Sequence, residues 1–134
     1  MQQLAKGVVC FTSLIFLLYG ILFVFFPEQG LMWVVQGQVT STAGITDVRA
    51  TYGGMSLGVA LILYLLVSSA TTLRQALWCV CFFMAGMAFG RTVGIVVDGD
   101  ATSTMYSYLF FEVVLALIAL GCLFKLNAPA DESH

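Results

Sequence analysis

Four long apolar stretches, separated by short polar connections, dominate this chain, at about 8–26, 48–67, 76–97 and 105–124. A helix that crosses the hydrocarbon core of a bilayer needs about 20 predominantly apolar residues. Each stretch supplies them, although the second starts at either Val48 or Tyr52, depending on whether Arg49 lies inside it. The runs are continuous rather than alternating, which argues against a membrane β-barrel. The expected fold is therefore all-α: an integral membrane four-helix bundle running up-down-up-down. It forms a single domain over residues 1–127, and the polar residues 128–134 read as a disordered tail. Charge scarcity closes the other routes. Only 9% of the 134 residues are charged, against about 25% in soluble domains. That excludes a soluble enzyme, a disordered chain and a nucleic-acid binder, which needs clustered Lys and Arg.

Orientation follows from the cations. Lys6, Arg74 and Lys125 fall on one face, while Glu28, Asp47, Asp98 and Asp100 fall on the other with Arg49. This bias places both termini in the cytoplasm of a bacterial inner membrane. The first stretch is longer than the ~7–15 apolar residues of a signal peptide and reads as a retained helix. Trp33 and Trp78 sit near expected interfaces. The first connection, 27–46, is long and carries an apolar patch, Leu31–Val35, that suits an interfacial or re-entrant segment. The other two connections are short, so consecutive helices pack antiparallel.

Cys10, Cys79, Cys81 and Cys122 all fall inside spans, where thiols behave as small hydrophobes. The sole histidine is His134. No metal site, haem site or other cofactor is therefore expected.

The informative residues are the polar ones inside the spans. An ionisable side chain in hydrocarbon costs a few kcal/mol and persists by facing the bundle interior with a partner. Arg91 lies in the third stretch and Glu112 in the fourth. Each falls about 9–10 Å below the outer boundary at a rise of about 1.5 Å per residue. They should pair as a two-toothed clamp. Asp47 and Arg49 stand at the outer end of the second stretch, and Arg49, Gly53, Ser56 and Ala60 share one helical face. Tyr108, Glu112, Ala116 and Ala119 do the same in the fourth. Gly86, Gly90 and Gly94, and likewise Gly54 and Gly58, have the small-xxx-small spacing of close helix packing. Thr40-Ser41-Thr42 and Thr102-Ser103-Thr104 form a faint echo at the outer starts of the even-numbered helices.

These positions predict an outer-leaflet polar pocket formed by Asp47, Arg49, Arg91 and Glu112. Tyr52, Gly53, Ser56, Asp98, Tyr106 and Tyr108 are its expected neighbours. One reading is an ion-pair network that only fixes helix register. The other is a site for an anionic or carbonyl-bearing group, a lipid headgroup above all, or a proton-responsive carboxylate.

The segments Asp47-Val-Arg49-Ala50-Thr-Tyr52-Gly53-Gly54, Ser56-Leu-Gly58, Gly90-Arg91, Asp98-Gly99 and Glu112 carry a resemblance. Through them the sequence resembles a family of small bacterial four-helix membrane proteins classed as a domain of unknown function. It is more loosely similar, in helix count and size, to DoxX-like proteins. The resemblance implies a shared charge pattern and no activity. The leading expectation is a non-enzymatic membrane protein that binds a lipid or small amphipathic ligand. Its expected partners are membrane lipids and a second copy or a larger membrane complex, with no nucleic acid. A proton-coupled transporter using Glu112 is the alternative. Against it stands Arg91 at the same depth, since a paired carboxylate is a poor proton carrier. A lipid-modifying enzyme using Glu112 or Asp47 lacks a nucleophile or metal set.

Overall fold

The computed structural model describes residues 2–69, 71–99 and 101–127. The expected tail at 128–134, His134 within it, and Asp100 lie outside the described residues. Helix α1 covers Gln2–Phe25. It stops where Pro27, which has no backbone N–H, begins the short α2, Pro27–Gly30. A wide helical turn, Leu31–Val35, continues it and closes on Gln36 in the left-handed conformation, φ 57°. This is the apolar patch of the first connection. Leu31 is buried under it, while Met32 and Trp33 face outward.

Ser41 then opens the second long helix, its hydroxyl oxygen accepting from the Gly44 N–H at 3.0 Å. Helix α3, Thr42–Val48, passes through a wide turn, Arg49–Gly54, into α4, Met55–Val67. The whole Thr42–Val67 stretch is one helix. The helix therefore begins before the apolar stretch expected from Val48 or Tyr52, at the Ser41 cap, and Arg49 lies inside it. Helix α5, Leu73–Asp98, ends at Gly99 with φ 71°. Helix α6 covers Ser103–Asn127.

Four helices, α1, α3–α4, α5 and α6, are long and apolar enough to cross a membrane. The chain is an all-α, multi-pass membrane bundle. Its outward faces carry Phe11, Leu18, Phe82, Phe89, Phe110 and Phe124, each more than half exposed. Such faces suit lipid, where apolar exposure carries no penalty. The closest pairings are α5 with α6 and α1 with α4.

The interior divides along the membrane normal. The half that holds the chain termini is packed apolar, with Val9, Phe16, Leu63, Leu77, Val80, Met84, Ala119 and Leu123 buried together. The opposite half has only a small cluster, Phe23, Leu31 and Val48, which ties the first connection to α1. The cysteines are free thiols: Cys122 is buried, Cys79 and Cys81 are half-buried, and Cys10 is exposed.

Close helix approach occurs at Gly20, where the spacing did not point, and at Gly53, on the expected face of the second stretch. A Cβ on Gly20 would stand 2.7 Å from Leu57 Cδ2, and one on Gly53 would stand 2.8 Å from the Val24 nitrogen. The Ser13 hydroxyl donates to the Ala60 carbonyl at 2.8 Å along the same seam. Gly53, Ser56 and Ala60, buried on one helical face, thus line the contact with α1. The runs expected to pack do not do so within the chain. Gly58, Gly86 and Gly90 have open space around them. Gly54 and Gly94 have only their own helix nearby, at 3.8 Å (the Arg49 carbonyl oxygen) and 3.7 Å (Asp98 Oδ2).

The left-handed Gly99 permits the short α5–α6 connection. A side chain there is strained even with space around it. Gly99→Ala should therefore lower stability by about 1–2 kcal/mol, read by reversible unfolding in mixed detergent micelles. An unchanged midpoint would show that the turn relaxes freely.

Candidate functional site

The short connection between Asp98 and Ser103 makes α5 and α6 antiparallel neighbours, so residues at similar distances from it face each other. Arg91 and Glu112 do so. Arg91 Nε donates to Glu112 Oε2 at 3.1 Å and Oε1 at 3.2 Å, and Nη2 donates to Oε1 at 2.6 Å. This is a two-toothed, charge-assisted contact, the strong form of a carboxylate–guanidinium pair. The Glu112 side chain is only 8% exposed and that of Arg91 24%. Tyr108, one turn from Glu112, puts its ring centre 5.2 Å from the guanidinium carbon, in cation–π range.

The third nitrogen of Arg91 is differently placed. Nη1 points at Met105 Sδ, 3.1 Å away. A thioether sulfur is a weak acceptor, so this part of the guanidinium lacks a strong partner. Arg91 is one of the residues lining a cleft of about 300 Å³. Arg91, Gly94, Ile95 and Asp98 form one wall of it, sharing a face of α5. Thr102 and Met105 form another, and Val35 of the first connection closes a third side. The Thr102 hydroxyl oxygen is buried and has no hydrogen-bond partner among the described residues. The connection is tied to this end of the bundle by Gln36 Nε2, which donates to Thr104 Oγ1 at 3.2 Å.

Expected convergence of four charges needs correction. Arg49 does not turn toward Arg91 and Glu112, but donates through Nη1 to the Val24 carbonyl of α1. The reason is local. Within a continuous helix the Val24 carbonyl would receive the N–H of residue 28, but α1 has already ended. The orphan carbonyl at the negative end of the helix dipole takes the arginine instead. Asp47 is exposed, and only its backbone carbonyl is engaged, by Thr51 Oγ1 at 2.7 Å. No ion pair joins Asp47 or Arg49 to the buried pair among the described residues.

The expected neighbours divide in the same way. Asp98 lines the cleft and Tyr108 flanks the guanidinium. Tyr52 stacks on Phe23 with ring centres 5.4 Å apart, Gly53 and Ser56 are buried in the α1 seam, and Tyr106 faces outward. Two participants were not expected. Met105 touches the guanidinium. Tyr19 of α1 stacks on Phe23 at 4.6 Å and lies within electrostatic range of Arg91, Tyr52, Tyr108 and Glu112. Neither stood out in the sequence, where a single Tyr19 or Met105 within an apolar run reads as part of that run. Among the described residues, no three His, Cys, Asp or Glu side chains converge on a point that could hold a metal ion.

The sequence profile of the family described as Domain of unknown function (DUF4345) matches residues 4–123. No curated protein matches the chain, and no solved structure does.

Proposed function

The chain belongs to that family, and we propose that it is a non-enzymatic membrane protein that binds the polar head of a lipid or small amphipathic molecule. One observation carries this reading. Arg91 is held in place by Glu112 and lines a cleft, and its Nη1 meets only a thioether. A guanidinium fixed in this way is preorganised for an oxygen acceptor, and the buried Thr102 hydroxyl adds a second polar contact. The walls formed by Val35, Ile95 and Met105 are apolar, as an amphipathic ligand requires. The grip of Arg91 on both Glu112 oxygens favours binding over proton carriage.

In a bacterial inner membrane the cleft would open to the outer leaflet. Lys6, Arg74 and Lys125 lie at the opposite end of the bundle, which supports cytoplasmic termini. A second copy or a larger complex would find its contact surface on α5, where Gly86 and Gly90 stand open.

Phospholipid retained after purification tests the binding reading. Native mass spectrometry should find bound phospholipid on the wild type. The double variant Arg91→Met with Glu112→Leu, which removes both charges together, should retain about tenfold less, a difference of about 1.4 kcal/mol. Equal retention in a folded double variant would overturn the reading.

A further inference from the structure

The cleft is unevenly satisfied, and its two ends are complementary to two different groups. At its deep end Arg91 has N–H donors that meet only the Met105 sulfur, beside the unpartnered Thr102 hydroxyl. At its mouth Asp98, two helical turns further along the same face of α5, has no ion-pair partner among the described residues. Its carboxylate turns back toward the cleft: Oδ2 lies 3.7 Å from the point where a Cβ on Gly94 would stand. The missing side chain at Gly94 leaves that space free.

Asp98 is also badly placed for the fold alone. It is the last residue of α5, at the negative end of the helix dipole, where a carboxylate is disfavoured and a cation is preferred. A carboxylate in this position gains from a ligand that brings a positive charge. The charge sum points the same way. Glu112, behind the lining, already neutralises Arg91, so Asp98 is the cleft's one described charge without a counter-ion.

Resting on the headgroup-binding reading, the geometry points to a zwitterionic headgroup carrying both an anionic phosphate and a protonated primary amine. The phosphate sits deep against Arg91 and Thr102, and the amine sits at the mouth against Asp98. The order fits a lipid in the leaflet on this side, whose phosphate lies deeper than its terminal amine. A headgroup with phosphate alone would set a second negative charge beside Asp98 and leave that carboxylate without a counter-ion. Apolar Val35, Ile95 and Met105 would flank the glycerol and the start of the chains.

The test is a binding titration of the purified full-length protein, read by native mass spectrometry. The probes are phosphatidylethanolamine and phosphatidylglycerol with identical acyl chains, and soluble glycerophosphoethanolamine. Wild type should prefer phosphatidylethanolamine over phosphatidylglycerol by about tenfold. Asp98→Asn, which leaves the buried pair untouched, should bring that preference to within about twofold while phosphatidylglycerol binding holds or improves. Thr102→Val should weaken both lipids alike. Glycerophosphoethanolamine binding as tightly as the lipid would assign the same chemistry to a free zwitterion, whereas much weaker binding assigns it to the membrane lipid. Equal binding of both lipids by wild type, or a preference unchanged in Asp98→Asn, would overturn this inference and leave the binding reading standing. Binding of none of the three probes would defeat both.

Discussion

Glu112→Leu alone should destabilise the bundle by about 3–5 kcal/mol, because it strands the Arg91 guanidinium in the interior of the membrane. Arg91 retains some exposure, 24% of its side chain, so the lower end of that range is the expected value. Arg91→Met combined with Glu112→Leu should recover most of the loss. Removing both charges also removes their desolvation cost, and apolar side chains of similar size fill the space. Unfolding in mixed detergent micelles, followed by circular dichroism, measures both. Two outcomes would contradict this account. A single variant within about 1 kcal/mol of wild type would mean that the guanidinium readily finds water or another partner. A double variant as unstable as the single would mean that side-chain shape, and not charge, holds α5 to α6.

The second large effect concerns glycine, and it separates two kinds of position that look alike in the sequence. Gly53→Ala should cost about 1–3 kcal/mol, as overpacking does. Its Cβ would stand 2.6 Å from Val24 Cγ2 and 2.8 Å from the Val24 backbone nitrogen, and the backbone atom cannot step aside without moving α1. Gly58→Ala, five residues on, meets nothing within 4 Å. It should be neutral or gain up to about 1 kcal/mol from helix propensity. The same unfolding assay decides the contrast. Equal effects at both positions would show that α1 and the Arg49–Gly54 turn do not approach as closely as described. Loss at Gly58 in native membranes but not in detergent monomer would mark a contact with another chain.

Much of the architecture was legible because lipid imposes one rule on every segment. Backbone groups must be satisfied internally, so a long apolar run becomes a helix. The Arg91–Glu112 pair was equally legible, since two opposite charges at matched depth on consecutive antiparallel helices have few alternatives to each other. Arg49 was not, because its partner is a backbone carbonyl. Nothing in side-chain chemistry marks Val24; only the break at Pro27, which leaves that carbonyl without an N–H, does so. Where the glycine runs pack was not legible for a related reason. Small-xxx-small spacing identifies a face on which close approach is allowed, while the partner helix depends on the whole bundle. Gly20 and Gly53 are used within the chain, although only Gly53 belonged to an expected face. Tyr19 and Met105 were missed because one residue in an apolar run reads as part of the run until a neighbour is known.

The arrangement of the charged pair also bears on how the chain enters the membrane. Arg91 and Glu112 are 21 residues apart in sequence and sit on the two arms of a single hairpin. A lone charge at the centre of an inserting helix costs about 2.5–3.5 kcal/mol on biological scales. Within the α5–α6 hairpin neither charge needs to cross into lipid alone, because each meets its neutralising partner before any contact with α1. The hairpin, rather than the single helix, is then the natural unit of insertion, and a translation stall between α5 and α6 would catch the chain at its least lipid-soluble point.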